Sequence, residues 1–209
     1  MDHKQRYKKL RLLVSRANKE RKKQAQKIDI LCNDLIAAQR DFIKRLRTIS
    51  FTANFYEAII GTTDLNSLIL TADKLIKNEI CNANVAFFLC QAEDFELHLF
   101  ESNQPITLEE QRLENCFNPE LVDNICKLNK LCTLDDMFAM GLQGNLIGLN
   151  QISAFTIPLG QFGQSPGFIL IYRSSADKLT TEQLKTIAAV TSGLSQAIAS
   201  CQALCHSAD

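Results

Sequence analysis

The sequence predicts an α+β protein, with a long basic coiled-coil helix over residues 1–60 and a mixed domain over 61–209. Three observations predict it. A seven-residue apolar repeat runs through 4–60, a stretch without proline or glycine. Two pairs of short apolar segments read as β-hairpins. The segments around them carry apolar residues at three- and four-residue spacings behind helix-capping residues.

In the first segment, Tyr7, Leu10, Val14, Ala17, Arg21, Gln24, Ile28, Leu31, Leu35, Ala38, Phe42, Arg45, Ile49, Thr52, Tyr56 and Ile59 fall at successive a and d positions. The seam is clean at 7–17 and 28–42 and is broken by the polar block 18–27. At about 1.5 Å per residue the helix extends on the order of 80 Å. A polar helix of that length cannot bury its own stripe, so a partner helix is expected. The simplest partner is a second copy, with Ile28, Leu31, Leu35, Phe42 and Ile49 at the interface.

Gly61-Thr62-Thr63-Asp64 interrupts, and Thr63 or Asp64 caps a second helix with Leu65, Leu68, Ile69, Ala72, Leu75, Ile76 and Ile80 as its buried stripe. The segment 84–91 is apolar on both faces, as a central strand is. The segment 95–101 alternates Phe95, Leu97 and Leu99 with Glu96 and His98, the pattern of a hairpin partner with one wet face. Residues 107–129 read as two helical pieces, the second opening on Asn118 with Pro119 at its first position. A short strand at 131–134 precedes an irregular, glycine-bearing stretch over 135–150. Segments 152–159 and 168–173 form a second hairpin. A last helix begins at Thr180, where Thr180 and Gln183 make a capping box. Its heptad face carries Leu184, Ile187, Leu194 and Ile198, and packs on the 64–80 helix or on another copy.

Net charge is zero, but residues 1–47 hold 15 Lys+Arg against 5 Asp+Glu, and residues 48–209 hold 8 against 18. A basic rod is joined to an acidic body. Neither a signal peptide nor a stretch of roughly 18 apolar residues is present, so a soluble, cytoplasmic protein without a transmembrane segment is expected. The eight cysteines are irregularly spaced, and several lie in apolar runs, so they read as buried free thiols. His3, His98 and His206 have no cysteine or carboxylate at ligand spacing, and no metal is expected.

The order of elements, and above all the residues 154–198, resemble a GAF domain, a small-molecule sensor module of signalling proteins. Pro158-Leu159 closing one strand, Gly167-Phe168-Ile169-Leu170-Ile171 opening the next, and the capped helix 180–198 occupy the places the family gives them. Leu179 stands where the family often has Phe. The resemblance covers about 50–205. It implies an antiparallel sheet of five or six strands, with terminal helices on one face and a ligand pocket on the other. The helix before the domain looks like the signalling helices that join such modules. The pocket would lie between strands 84–91 and 152–159 and a cover formed by 103–118 and 132–150. Phe88, Cys90, Cys116, Cys132, Asp135, Asp136, Phe138, Asn145 and Phe155 are its candidate lining.

Specific ligand chemistries find little footing. Cys205-His206, the sole Cys-His pair, lies outside that pocket, which argues against a covalent bilin. Asn129-Lys130 matches only two residues of the cyclic-nucleotide signature, and no cofactor is assigned. Cys116 and Cys126 have a spacing reminiscent of free methionine sulfoxide reductases, with Cys126 or Cys132 as resolving thiol. The family's glycine-rich surroundings are missing, and Cys126 falls on an apolar helix stripe. Asp135-Asp136 offers a cation or amine site, or a cap for a short helix at 137–140. The basic helix offers phosphate contacts for nucleic acid, yet lacks a helix-turn-helix or base-reading aromatics. A docking surface for an acidic protein fits it better.

The expectation is a non-enzymatic sensor or regulatory protein that dimerises through its coil and signals to a partner in trans, since no output domain follows the last helix. The alternatives are a ligand-free structural adaptor, its pocket filled by Phe88, Phe138, Met140 and Phe155, and a thiol-based reductase.

Overall fold

A computed structural model of the chain describes residues 3–90, 95–100, 113–144, 149, 151–160 and 165–206. The chain divides into two compact units, Met1–Ile49 and Ser50–Asp209. One helix, α1 (His3–Ile59), contributes to both. In the first unit every large apolar side chain of the helix is solvent-exposed, as a single polar helix requires.

The second unit is built on five antiparallel strands: β1 (Asn84–Cys90), β2 (Phe95–Phe100), β3 (Cys132–Thr133), β4 (Ile152–Pro158) and β5 (Gly167–Ser174). Their order is β2-β1-β5-β4-β3. Both expected hairpins form, with Val85 opposite Phe100 and Phe155 opposite Ile171. The central pairing joins the two hairpins through β1 and β5, in a register that sets Phe88 opposite Phe168. Strands β1 and β5 are apolar on both faces because both faces are covered.

On one face Val85, Phe87, Leu89, Ile169 and Ile171 meet the end of α1 and the helices α2 (Leu65–Glu79), α5 (Thr181–Ala188) and α6 (Thr191–His206). Phe55 and Ile59 of α1 are buried in this core. On the other face Ala86, Phe88, Phe168, Leu170 and Tyr172 meet α3 (Pro119–Leu128), α4 (Leu134–Ala139) and a 3-10 turn, Leu113–Cys116. Alternation along each strand assigns its residues to one core or the other.

The caps are set by side chains. Asp64, not Thr63, caps α2, accepting from the Ser67 amide at 2.8 Å. Asn118 accepts from the Leu121 amide at 2.8 Å, with Pro119 first in α3. Thr180 and Gln183 form the reciprocal capping box of α5.

The structure corrects two expectations and selects one of the two partners expected for the last helical face. The C-terminal segment is two helices bent by 41°, not one. Leu184, Ile187, Leu194 and Ile198 are buried in the chain's own core, with α6 against α2, so this face is occupied without a second copy. The outer face of β2 is not fully wet, since His98 is half-buried beside Glu96 (Nε2 to Oε1, 3.0 Å) and α2 reaches β2.

The β1–β5 pairing needs Gly167. A Cβ there would fall on the backbone carbonyl of Phe88 and lie 3.1 Å from the Leu89 Cα. Gly167→Ala is expected to cost about 3 kcal/mol or more, read as a lower urea midpoint, because backbone cannot swing aside as a side chain can.

Asp73 of α2 is buried, with Lys77 Nζ 3.0 Å from Oδ2 and no hydrogen-bond partner on Oδ1. Burial raises its pKa above the ordinary carboxylate value, and Lys77 offsets only part of that. A folded-state pKa above the unfolded one means stability that is full at low pH and is lost as pH rises through the folded value. Asp73→Asn removes this titration. The stability of the variant relative to wild type is therefore expected to increase from pH 3 to pH 7, and a constant difference would contradict it.

Candidate functional site

The face of the sheet opposite α2, α5 and α6 is where a ligand was expected. Its floor is made by alternate residues of β1, β5 and β4, and its described cover comes from the 3-10 turn, α3 and α4. Phenylalanine rings occupy the centre. Phe88 stacks on Phe168 at 4.6 Å between centroids, and Phe117 approaches Phe88 at 4.9 Å and Phe168 at 6.0 Å. Phe95 of β2 closes the side at 5.4 Å from Phe88. Such tilted and offset arrangements are favourable for aromatic quadrupoles. Leu113, Met137, Leu142 and Leu149 complete the packing.

One buried polar pair lies on this face. The Tyr172 hydroxyl donates to the Glu114 carboxylate at 2.7 Å, and both residues are less than 5 % exposed. The period-two pattern of β5 places Tyr172 on the same side as Phe168 and Leu170. No local pattern marks Glu114 as buried, and it was not anticipated.

The predicted lining separates into groups. Phe88, Cys90, Cys116, Cys132 and Phe138 all join this core. Phe155 does not. It points to the opposite core with Ile157, because alternation along β4 gives this face to Ala154 and Thr156. Asp136 is used as a cap: it accepts from the Thr133 amide and hydroxyl at 2.8 and 2.7 Å, and those bonds hold its pKa below the ordinary value. Asp135 is exposed in the same first turn. Asn145 lies outside the described residues.

The thiols are not set up alike. Burial raises the pKa of Cys116, with the Glu114 carboxylate adding to it, and burial also raises that of Cys132. Cys126 of α3 is fully buried, and its sulfur lies 2.8 Å from that of half-buried Cys90. A hydrogen bond between them lowers the Cys90 pKa and raises that of Cys126. Sequence spacing pointed from Cys126 toward Cys116, whereas the sulfur it touches belongs to Cys90. Among the described residues no group of three metal-ligating side chains occurs.

Solved structures share this architecture. The GAF domain/HD domain protein of Geobacter sulfurreducens matches with a TM-score of 0.53 at 14 % identity, over 69 % of this chain and 97 % of that one. The fold is that of a GAF domain. The GAF domain of the Acinetobacter phosphoenolpyruvate-protein phosphotransferase matches at 0.53 and 13 % identity, over 74 % and 94 %. The GAF domain of the cyanobacteriochrome TePixJ matches at 0.53 and 12 % identity, over 69 % and 94 %. No family model and no curated protein matches the sequence. The GAF fold and the long helix preceding it both agree with the sequence-based expectation.

The ring cluster makes this face of the GAF fold sensitive to truncation. Phe88→Ala is expected to cost about 3–5 kcal/mol in chemical denaturation, the range for a buried Phe whose cavity cannot collapse. Tyr172→Phe, which strips Glu114 of its donor, is expected to cost about 1–3 kcal/mol.

Proposed function

We propose that this chain is a non-enzymatic regulatory protein that pairs with a second copy through residues 1–60 and acts on a protein partner in trans. The observation that carries the reading is the uncovered apolar stripe of the first unit. Ile28, Leu31, Leu35, Phe42 and Ile49 are each more than half exposed at the a and d positions of a heptad repeat. Exposed leucines at this density are costly in water and are stabilised by a facing helix with the same repeat. The basic charge along the same helix favours an acidic partner.

The body is read as a packed adaptor module rather than a chemical sensor. Four phenylalanine rings stand where the resemblance expects a ligand, and the expected fillers Phe88, Phe138 and Met140 share their core. The raised pKa values of Cys116, Cys126 and Cys132 speak against a thiolate nucleophile among those three, and so against the reductase alternative.

A small-molecule sensor is the second reading, favoured by the buried Tyr172–Glu114 pair on the ligand-side face. Native mass spectrometry of the chain purified without refolding separates the two. A dimer of twice 23.5 kDa without added mass supports the adaptor, and a dimer carrying a small molecule that denaturation releases supports the sensor.

Leu31→Glu with Leu35→Glu is expected to convert the dimer to a monomer of 23.5 kDa in light scattering, leaving the body's unfolding midpoint unchanged. A wild-type chain that is monomeric at micromolar concentration would overturn the pairing.

A further inference from the structure

We propose that Cys90 and Cys126 form a reversible disulfide, with a hydroperoxide as the oxidant, that ties helix α3 to strand β1. The two sulfurs are 2.8 Å apart, and a disulfide needs about 2.05 Å. Closing that gap takes less than 1 Å of side-chain movement. The backbone already holds the pair in place. The Cys90 amide donates to the Pro166 carbonyl at 2.8 Å, and the Ser165 amide donates to the Cys126 carbonyl at 3.1 Å. The two cysteines are thus pinned to adjacent residues, Cys90 to Pro166 and Cys126 to Ser165, at the entrance to β5.

The two thiols differ in access and in protonation, as an attacking and a resolving sulfur must. Cys90 is half-buried at the end of β1, and Cys126 is fully buried. The hydrogen bond between them favours the Cys90 thiolate and keeps the proton on Cys126; the Asp123 carboxylate opposes ionisation of both. Cys32 and Cys81 are more exposed but show no second sulfur in contact among the described residues.

The chemistry balances with one hydroperoxide. The Cys90 thiol releases its proton to water, and the thiolate sulfur attacks the terminal oxygen of R–O–O–H. The O–O bond breaks, and RO⁻ leaves and takes up a proton as the alcohol. Cys90 becomes a sulfenic acid, two electrons oxidised. The Cys126 sulfur then attacks the Cys90 sulfur and the S–O bond breaks. The departing hydroxide takes the Cys126 proton and leaves as water. Two thiols and one hydroperoxide become one disulfide, one alcohol and one water. A small dithiol reverses the change by exchange.

The test uses the full chain, reduced and then challenged with hydrogen peroxide, followed by alkylation after unfolding and non-reducing peptide mapping. The expected product is a single intrachain link between the Cys90 and Cys126 peptides, about two mass units lighter than the two thiols, and undone by dithiol. Cys126→Ala is expected to leave Cys90 as a sulfenic acid that a 1,3-dione traps. Should that variant not fold, the wild-type map decides alone. Full alkylation of both Cys90 and Cys126 after peroxide, with Cys32, Cys81 or another thiol consumed instead, would overturn the proposal.

Discussion

The body of this protein depends on the pairing of β1 with β5. These two strands are apolar on both faces, and each face feeds a different core. Fixing their register fixes which residues enter which core, because a slip of one residue would exchange every side chain between faces. The register in turn rests on backbone contact at Gly167, where β5 begins against Phe88 and Leu89. Ser165 secures the same corner: its hydroxyl meets the Leu159 amide at 3.1 Å and also bonds the Gly167 carbonyl. The helices and the aromatic cluster then pack on a sheet already defined.

On the helical face the same logic of close approach recurs. A Cβ at Gly193 of α6 would overlap the ring of Tyr56, so α6 lies tight against the end of α1. Phe55, beside Tyr56 in the chain, and Ile59, three residues on, are buried in the core. The last turns of α1 are therefore part of the body, while residues 3–49 expose their large apolar side chains. One helix thus contributes residues to both units.

Much of this was legible in the sequence because it is carried by local rules. The caps at Asp64, Asn118 and Thr180, the proline at 119, the two hairpins and the two-sided β1 each follow from a few neighbouring residues. What was illegible depends on distant contacts. A continuous apolar rhythm across 184–201 hid the break between α5 and α6, since both helices present that rhythm to one core. Phe155 was assigned to the ligand side on residue type alone, while its strand alternation points it the other way. The burial of Glu114 depends on Tyr172, and the Cys90–Cys126 contact on the corner at 165–166; each spans more than 30 residues.

This GAF fold packs the sheet face opposite α2, α5 and α6 with its own rings. Selective ¹³C labelling of phenylalanine, on chain unfolded and refolded to strip any bound molecule, tests it by nuclear Overhauser contacts. Contacts are expected linking Phe88 with Phe95, Phe117 and Phe168, as the ring separations of 4.6–5.4 Å require. Rings that show no mutual contacts, or a body that regains its fold only when a small molecule is supplied, would contradict it.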